Sequence, residues 1–300
     1  LLIARGHKPI GRAELTWAFM FTPRLWSLAF VRTGLVLDTR FIPAATEPAR
    51  PRSCLYLLLR GSWTIYGAEE RRLEGPCAFI ATEEQLEGAG GARPFTFAGR
   101  GHPFEALEIH VADNELSVAS GGAPVPLGVD ERALAAAFEV VRLSEHDDDT
   151  LEQAFAALLG HLARQGLISR AIADHARRPA SKPFSLLWAG LRPMIERLYL
   201  NPTLQEVGDA SGVSTRQLDR YVQRFVTSFG LVGERWRSST LHIRLKLAII
   251  LLSADGATVA DVAGAVGYGS SDAMARMFRD AGLPAPAVVQ QNVRASRESD

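Results

Sequence analysis

Cysteine is scarce in this 300-residue chain, which has only Cys54 and Cys77. Two cysteines cannot build a disulfide scaffold or a zinc finger. Both sit in apolar surroundings and read as buried thiols, with no positive sign of a redox pair. Net charge is missing as well, with 33 Lys and Arg against 33 Asp and Glu. That balance excludes a non-specific nucleic-acid binder, whose affinity comes from neutralising many phosphates. Divided at Phe184, the chain carries 13 Lys and Arg against 11 Asp and Glu in its second part, and 20 against 22 in its first. Such a second part suits a few placed arginines and a dimeric partner. A long hydrophobic run is also lacking. The apolar stretch from Trp17 to Leu37 is broken by Pro23, Arg24 and Arg32 and is too interrupted to span a bilayer. No signal-peptide pattern is visible, and the opening on Leu1 reads as an altered or missing natural start. A cytoplasmic protein with no membrane partner is the expectation. There is no nucleophile elbow, no phosphate-binding glycine loop and no acid/base pair, so neither an enzyme nor a cofactor is expected.

What is present divides into two halves. The first reads as β. Leu55–Leu59 and Ser62–Tyr66 are short apolar strands bounded by Gly61 and Gly67. Cys77–Ile80, Pro94–Phe97 and Ala106–Val111 continue the pattern, and glycine punctuation at this spacing suggests a sandwich or barrel. Trp63, Ile65, Tyr66 and Phe79 are candidates to line a ligand cavity, and equally to be plain core. Strand alternation places Trp63, Ile65 and Gly67 on one face, with Thr64 and Tyr66 on the other. His102, Glu105, Glu108 and His110 are the nearest thing to a ligand cluster. Glu108 and His110 share a strand face, but the pair reads as a solvated strand edge, and no metal site is expected.

Amphipathic helices follow at Asp130–Arg142 and Thr150–Gln165. In the second, Leu151, Phe155, Leu158, Leu159 and Leu162 recur at helical spacing. The polar, proline-bearing segment from His175 to Pro183 reads as an interdomain linker.

The last third reads twice as a helix-turn-helix. In each copy a small residue (Gly208, Ala263) lets the second helix approach. A glycine four positions on (Gly212, Gly267) suits the turn, and a serine (Ser214, Ser270) caps the next helix. Leu218 and Tyr221, and Met274 and Phe278, face inward. Thr215, Arg216, Asp219 and Arg220 then face outward, as do Ser271, Asp272, Ala275 and Arg276. A recognition helix reads base edges in the major groove, and arginine meets O6 and N7 of guanine together. One copy alone is read equally well as an ordinary helix pair. Two copies in this order, joined by an amphipathic segment from about Glu234 to Leu252, point to double-stranded DNA as partner. In that segment Trp236, Leu241, Leu245, Ala248 and Leu252 supply the apolar side, and Arg237 and Arg244 are candidates for phosphate or salt-bridge contacts.

Residues of roughly 184 to 291 resemble the C-terminal domain of AraC/XylS-type transcription regulators. The matching stretches are Pro202-Thr203-Leu204, Gly212-Val213-Ser214 with Leu218 and Arg220, and Arg224-Phe225 with Gly230. They continue through Arg244-Leu245, Val259 to Ala263, Val266-Gly267-Tyr268 and Arg276-Met277-Phe278-Arg279. The resemblance implies two motifs, about 203–225 and 258–280, joined by one long helix and entering successive major-groove segments. It adds Arg224 and Arg279 to the DNA-binding candidates. The chain departs from the family at Gly208, usually alanine, and at Met274, usually aromatic. Gly282 stands four residues after Phe278 instead of five.

The strand order with Gly61, Gly67, Leu73 and Gly75 is similar to the cupin-like sensor domain of many such regulators. The His-x-His pair of metal-binding cupins is absent. The expected architecture is therefore α+β and multidomain. It comprises a cupin-like β-barrel or sandwich over 1–128, a helical dimerisation or linker region over 129–183 and an all-α DNA-binding domain over 184–300. The expected function is a sequence-specific regulator controlled by a small-molecule effector, acting as a homodimer and meeting RNA polymerase. Two other readings stand beside it. One is a ligand-independent regulator whose barrel only dimerises or binds protein, and the other a cupin-type enzyme with an appended helical domain.

Overall fold

The computed structural model describes residues 1–22, 25–41, 52–82, 85, 95–112, 116, 124, 126–142, 147–176, 178–197, 200–229 and 236–298. Antiparallel strands come first: β1 (Leu2–Ile10), β2 (Ala13–Thr22), β3 (Leu25–Thr33), β4 (Leu37–Asp38), β5 (Arg52–Tyr66), β6 (Arg71–Glu74), β7 (Cys77–Thr82), β8 (Thr96–Ala112) and β9 (Pro126–Leu127). They form one sheet in the order β1-β2-β3-β8-β5-β7-β9, with β4 added on β8 and β6 on β5. The apolar stretch from Trp17 to Leu37 holds most of the β2–β3 hairpin, in which Trp17 pairs with Phe30 and Phe21 with Trp26. It reads as nearly continuous because both faces of these strands are covered.

The strands expected at Leu55–Leu59 and Ser62–Tyr66 are one strand. The β5–β8 register shifts between Leu58 and Arg60 and again between Arg60 and Ser62. Bulges bend a strand without ending it, which explains the glycine at position 61. The segments around Phe97 and Ala106–Val111 are likewise one strand, β8. The bend folds the sheet over itself. Trp63 from the far limb packs edge-on against Tyr56 and Phe104, with ring centroids 6.0 and 5.3 Å away. Phe79 stacks on Tyr56 at 4.7 Å and on Phe97 at 6.2 Å.

The opposite face of the sheet (Leu55, Leu57, Leu107, Ile109, Val111) is covered by three helices. These are α1 (Glu131–Arg142), α2 (Asp148–Arg164) and α3 (Arg170–Ala176). Leu151, Phe155, Leu158, Leu159 and Leu162 of α2 are all fully buried there. Packing on the sheet accounts for the apolar sides of these helices.

The linker expected over His175–Pro183 is shorter than its composition suggests. α3 runs to Ala176, and α4 (Lys182–Glu196) opens with Pro183 in its first turn, where the missing amide hydrogen costs nothing. α4 lies on the β1 edge. Leu187, Trp188, Leu191 and Met194 bury against Leu2, Ala4 and Phe21, and two indoles bond to backbone across the junction. Trp188 Nε1 donates to the Ile3 carbonyl (3.2 Å) and Trp17 Nε1 to that of Ile195 (3.0 Å). Asp148 at the start of α2 pairs with Arg5 (2.6 Å) and with Arg192 (3.0 Å), joining strand, α2 and α4.

The rest of the chain is helical: α5 (Leu204–Ser211), α6 (Thr215–Phe229), α7 (Trp236–Leu252), α8 (Val259–Ala265), α9 (Ser271–Asp280) and α10 (Pro286–Glu298). Among the described residues, no helix is long and apolar enough to cross a membrane.

Candidate nucleic-acid interface

α5 and α6 form the first motif, α8 and α9 the second, and their first helices start alike. Thr203 accepts from the Glu206 amide while the Glu206 carboxylate accepts from the Thr203 amide. Thr258 and Asp261 do the same for α8. Each is a reciprocal capping box that satisfies two otherwise orphaned amides. Hydrogen bonds from the threonines hold both carboxyls below their ordinary pKa, the Thr203 amide leading at Glu206 and the Thr258 side chain at Asp261. Sequence reasoning missed these boxes, although Thr-x-x-Glu and Thr-x-x-Asp were there to be read.

The turns follow expectation. Gly212 has φ 66° and Gly267 φ 81°, in the left-handed region that favours glycine. The Val213 amide reaches back to the Gly208 carbonyl (3.1 Å) and the Tyr268 amide to that of Ala263 (2.8 Å). A Cβ on Gly208 would stand 3.0 Å from the Val213 carbonyl oxygen. The turn is therefore tight where the resembled family carries alanine. Ser270 caps α9 through the Ala273 amide (3.1 Å), and Ser214 meets the Gln217 amide at 3.4 Å.

The second helices present the expected faces. Leu218, Val222 and Phe225 are buried under α6, and Met274 and Phe278 under α9. Arg216, Arg220 and Arg224 are exposed at i, i+4 and i+8, so they form one stripe along α6. Thr215 and Asp219 are half-buried beside them, and Asp219 accepts from Gln223 (3.4 Å). On α9, Asp272, Arg276 and Arg279 are exposed and Ser271 is half-buried. Among the described residues, Arg216, Arg220, Arg224 and Arg276 have no carboxylate partner. Arg279 lies 4.0 Å from Asp280. Behind α9 the chain turns through Gly282, with the Leu283 amide bonded to the Phe278 carbonyl (2.8 Å). α10 then buries Val289 and Val293. The four-residue spacing of Gly282 thus closes the second motif.

α7 connects the motifs. It starts at Trp236, and Glu234 and the Trp236 side chain lie outside the described residues. Leu245, Ala248 and Leu252 are buried as expected, but so are Ile249 and Leu251. The apolar surface is wider than one stripe because α7 is covered on two sides, by α8 and α10 and by the sheet. Among the described residues Arg244 makes no salt bridge. Its guanidinium donates to the Leu200 carbonyl (3.3 Å) and to Asn201 Oδ1, just ahead of the first motif. Burial lowers its pKa, opposed by the nearby Tyr268 of the second motif. Arg244 therefore ties α7 to the segment just ahead of the first motif, while Arg237 is exposed. The second motif is also fixed to the sheet. The Val36 amide donates to Ser253 Oγ (2.9 Å) and the Arg12 amide to the Asp255 carbonyl (3.0 Å).

The structure brings three of the four ligand-site candidates together. Trp63, Ile65 and Phe79 meet in the sheet's interior, each 2% exposed or less. Tyr66 is on the other face, with the Arg40 guanidinium 4.3 Å from its ring centre. Arg32, which in the sequence only interrupts an apolar run, belongs to this interior. It is 1% exposed, lies 4.0 Å from the Phe104 ring centre, and none of its three guanidinium nitrogens has a hydrogen-bond partner among the described residues. Trp63 Nε1 also lacks an acceptor among them. Glu108 and His110 are a correction. They are not a solvated edge, since their side chains are only 14% and 9% exposed. They point into the interior from the concave side of β8.

No protein-family model and no curated protein matches the sequence. Solved structures similar to the chain include ToxT from Vibrio cholerae O395, with TM-score 0.36 and 9% identity over 96% of both chains. The AraC-like transcriptional activator CuxR gives TM-score 0.32 and 10% identity over 78% of this chain and 86% of its own. A cupin superfamily protein from Desulfitobacterium hafniense gives TM-score 0.23 and 13% identity over 35% of this chain and 83% of its own.

Proposed function

We propose that this chain is a sequence-specific DNA-binding transcription regulator. The observation that carries the reading is the doubled motif. Each copy has a boxed first helix, a left-handed glycine turn and a capped second helix whose outer face bears exposed arginines. Such arginines suit base edges and phosphates of a duplex groove. Thr215, Arg216, Asp219, Arg220 and Arg224 form the first reading face and Ser271, Asp272, Arg276 and Arg279 the second. Genome-wide DNA capture followed by footprinting tests this. Protection of two neighbouring major-groove segments on one face of the duplex is expected, and binding without sequence preference would overturn it. Two copies on paired half-sites belong to the same reading. Their contact has to use surface other than the apolar sides of α1 and α2, which the sheet occupies.

Effector control is the finer part of the proposal, and Arg32 favours it. A buried cation whose guanidinium has no hydrogen-bond partner among the described residues is costly, and a ligand anion would supply acceptors for it. Desolvation pushes the Arg32 pKa down to about 9, with Glu108 opposing, so the group still carries its charge at neutral pH. The proposed effector is accordingly a small molecule with one anionic group and an apolar body. A binding effector should alter Trp63 fluorescence and DNA affinity together, because it shifts DNA binding only through different affinities for two states. A Trp63→Leu protein should then lose much of the response while keeping effector-free DNA binding. If Trp63 is plain core, the change costs about 3–5 kcal/mol of stability and leaves the response intact.

A further inference from the structure

The interior of the sheet holds a second group of chemistry-bearing side chains that DNA reading does not use. Cys54 on β5 stands directly opposite His110 on β8 in the antiparallel register, and Glu108 lies two residues before His110 on the same face. Cys54 Sγ is 3.4 Å from His110 Nε2, and Glu108 Oε2 is 3.2 Å from that same nitrogen. One donor atom from each residue lies within 4.8 Å of the others. Cys54 is fully buried, and Trp26 stacks flat on the His110 ring at 3.6 Å, fixing its plane.

This is not the layout of a nucleophile and its relay. In a relay the carboxylate holds one ring nitrogen while the other faces the nucleophile. Here sulfur and carboxylate both address Nε2, so three donors of different kinds converge on one small volume. In a tetrahedral zinc site, bonds of about 2.3 Å to sulfur and about 2.0–2.2 Å to nitrogen and oxygen imply donor–donor edges of roughly 3.3–3.6 Å. The Cys54–His110 and Glu108–His110 separations are close to those edges. The donor set also selects the ion. Thiolate and imidazole favour zinc and its neighbours, whereas calcium and magnesium want oxygen alone. A thiolate, a carboxylate and a neutral imidazole together cancel a divalent charge, which suits so dry a place.

We propose that Cys54, Glu108 and His110 form a binding site for a divalent transition-metal ion of the zinc type. Three protein ligands leave a fourth position for water or a small ligand, as sites with an open coordination position do. The sequence hid this site because its sulfur comes from a strand more than fifty residues away from the Glu-x-His pair.

The test uses the full chain, stripped with a chelator under reducing conditions and titrated with Co²⁺ and then Zn²⁺. One ion per chain is expected, with a thiolate-to-cobalt charge-transfer band and tetrahedral visible bands that Zn²⁺ abolishes. Cys54→Ala should remove the charge-transfer band. Glu108→Gln should weaken binding by more than about 100-fold, beyond the loss caused by removing an outer-shell partner. Cys77→Ala should change neither. Circular dichroism reports whether each variant folds, and the titration of the unmodified chain decides the matter even where a variant does not. A folded chain that takes up no stoichiometric Co²⁺ or Zn²⁺ would overturn the proposal. So would a thiolate band that survives in Cys54→Ala or vanishes in Cys77→Ala.

Discussion

Arg216 and Arg220 stand one turn apart on the outer face of α6, opposite buried Leu218. Replacing either with alanine is expected to cost roughly 1–3 kcal/mol at the cognate site and to relax base preference at one position. Binding titrations over a set of mutated operators check this. Uniform weakening across all sequences would make them phosphate contacts instead. Arg32 calls for a different measurement. Its folded pKa lies below the unfolded value, so the cost of burying its charge is present in full below about pH 9. That cost is relieved as pH rises above that point. An Arg32→Met protein should therefore melt at a higher temperature at neutral pH than the parent, and should lose any stabilisation that small organic anions give the parent. A lower melting temperature would mean that the guanidinium is paired in solution.

At the scale of elements, the two capping boxes carry a pH signature. Glu206 and Asp261 have pKa values below their ordinary range because they accept hydrogen bonds. Their contribution to the starts of α5 and α8 is fully present above the ordinary carboxylate range. It is lost as pH falls through the lowered folded values. Thr203→Ala and Thr258→Ala should each cost about 0.5–2 kcal/mol and flatten this acid limb in thermal melts recorded against pH. α7 is tested by a helix breaker. Ile243→Pro removes an interior hydrogen bond at a cost of about 3 kcal/mol or more, and DNA affinity should fall with it. Wild-type affinity in that variant would show that α7 does not set the spacing of the motifs. The helices were largely legible in sequence because the 3.6-residue period survives wherever one face is buried, as in α2. The strands β1 to β3 were not read as strands. In β2, covering both faces erases the two-residue alternation, and the bend in β5 disguises one strand as two.

For the whole molecule, the two motifs are fixed to the sheet at separate places. The first is held through α4, where Phe21 packs 5.1 Å from Trp188 and 5.3 Å from Phe225 of α6. The second is held through Ser253 and Asp255. The sheet and α7 therefore both define how far apart α6 and α9 stand. Asp148→Asn weakens the pairs to Arg5 and Arg192, and partly exposed pairs of this kind are worth about 0–1 kcal/mol each. Trp188→Ala removes buried aromatic area at the same junction and should cost about 3–5 kcal/mol. If the junction sets the geometry of DNA reading, Trp188→Ala should change the preferred spacing between the two protected segments, as footprints on operators with inserted base pairs would reveal. An unchanged preference would assign the spacing to α7 alone.

The sequence by itself determined what depends on neighbours along the chain: the helix pairs, their glycine turns and serine caps, and the outward arginines of α6 and α9. These follow from local periodicity and backbone sterics, which a one-dimensional pattern records. Only the tertiary structure decided that Cys54 faces Glu108 and His110, that Arg32 lies buried against the Phe104 ring in the interior, and that Arg244 ties α7 to Leu200 and Asn201. Each depends on strand register or on packing between residues far apart in sequence. A register shift of one residue would turn Cys54 to the opposite face of the sheet, and no local pattern in the chain records that choice.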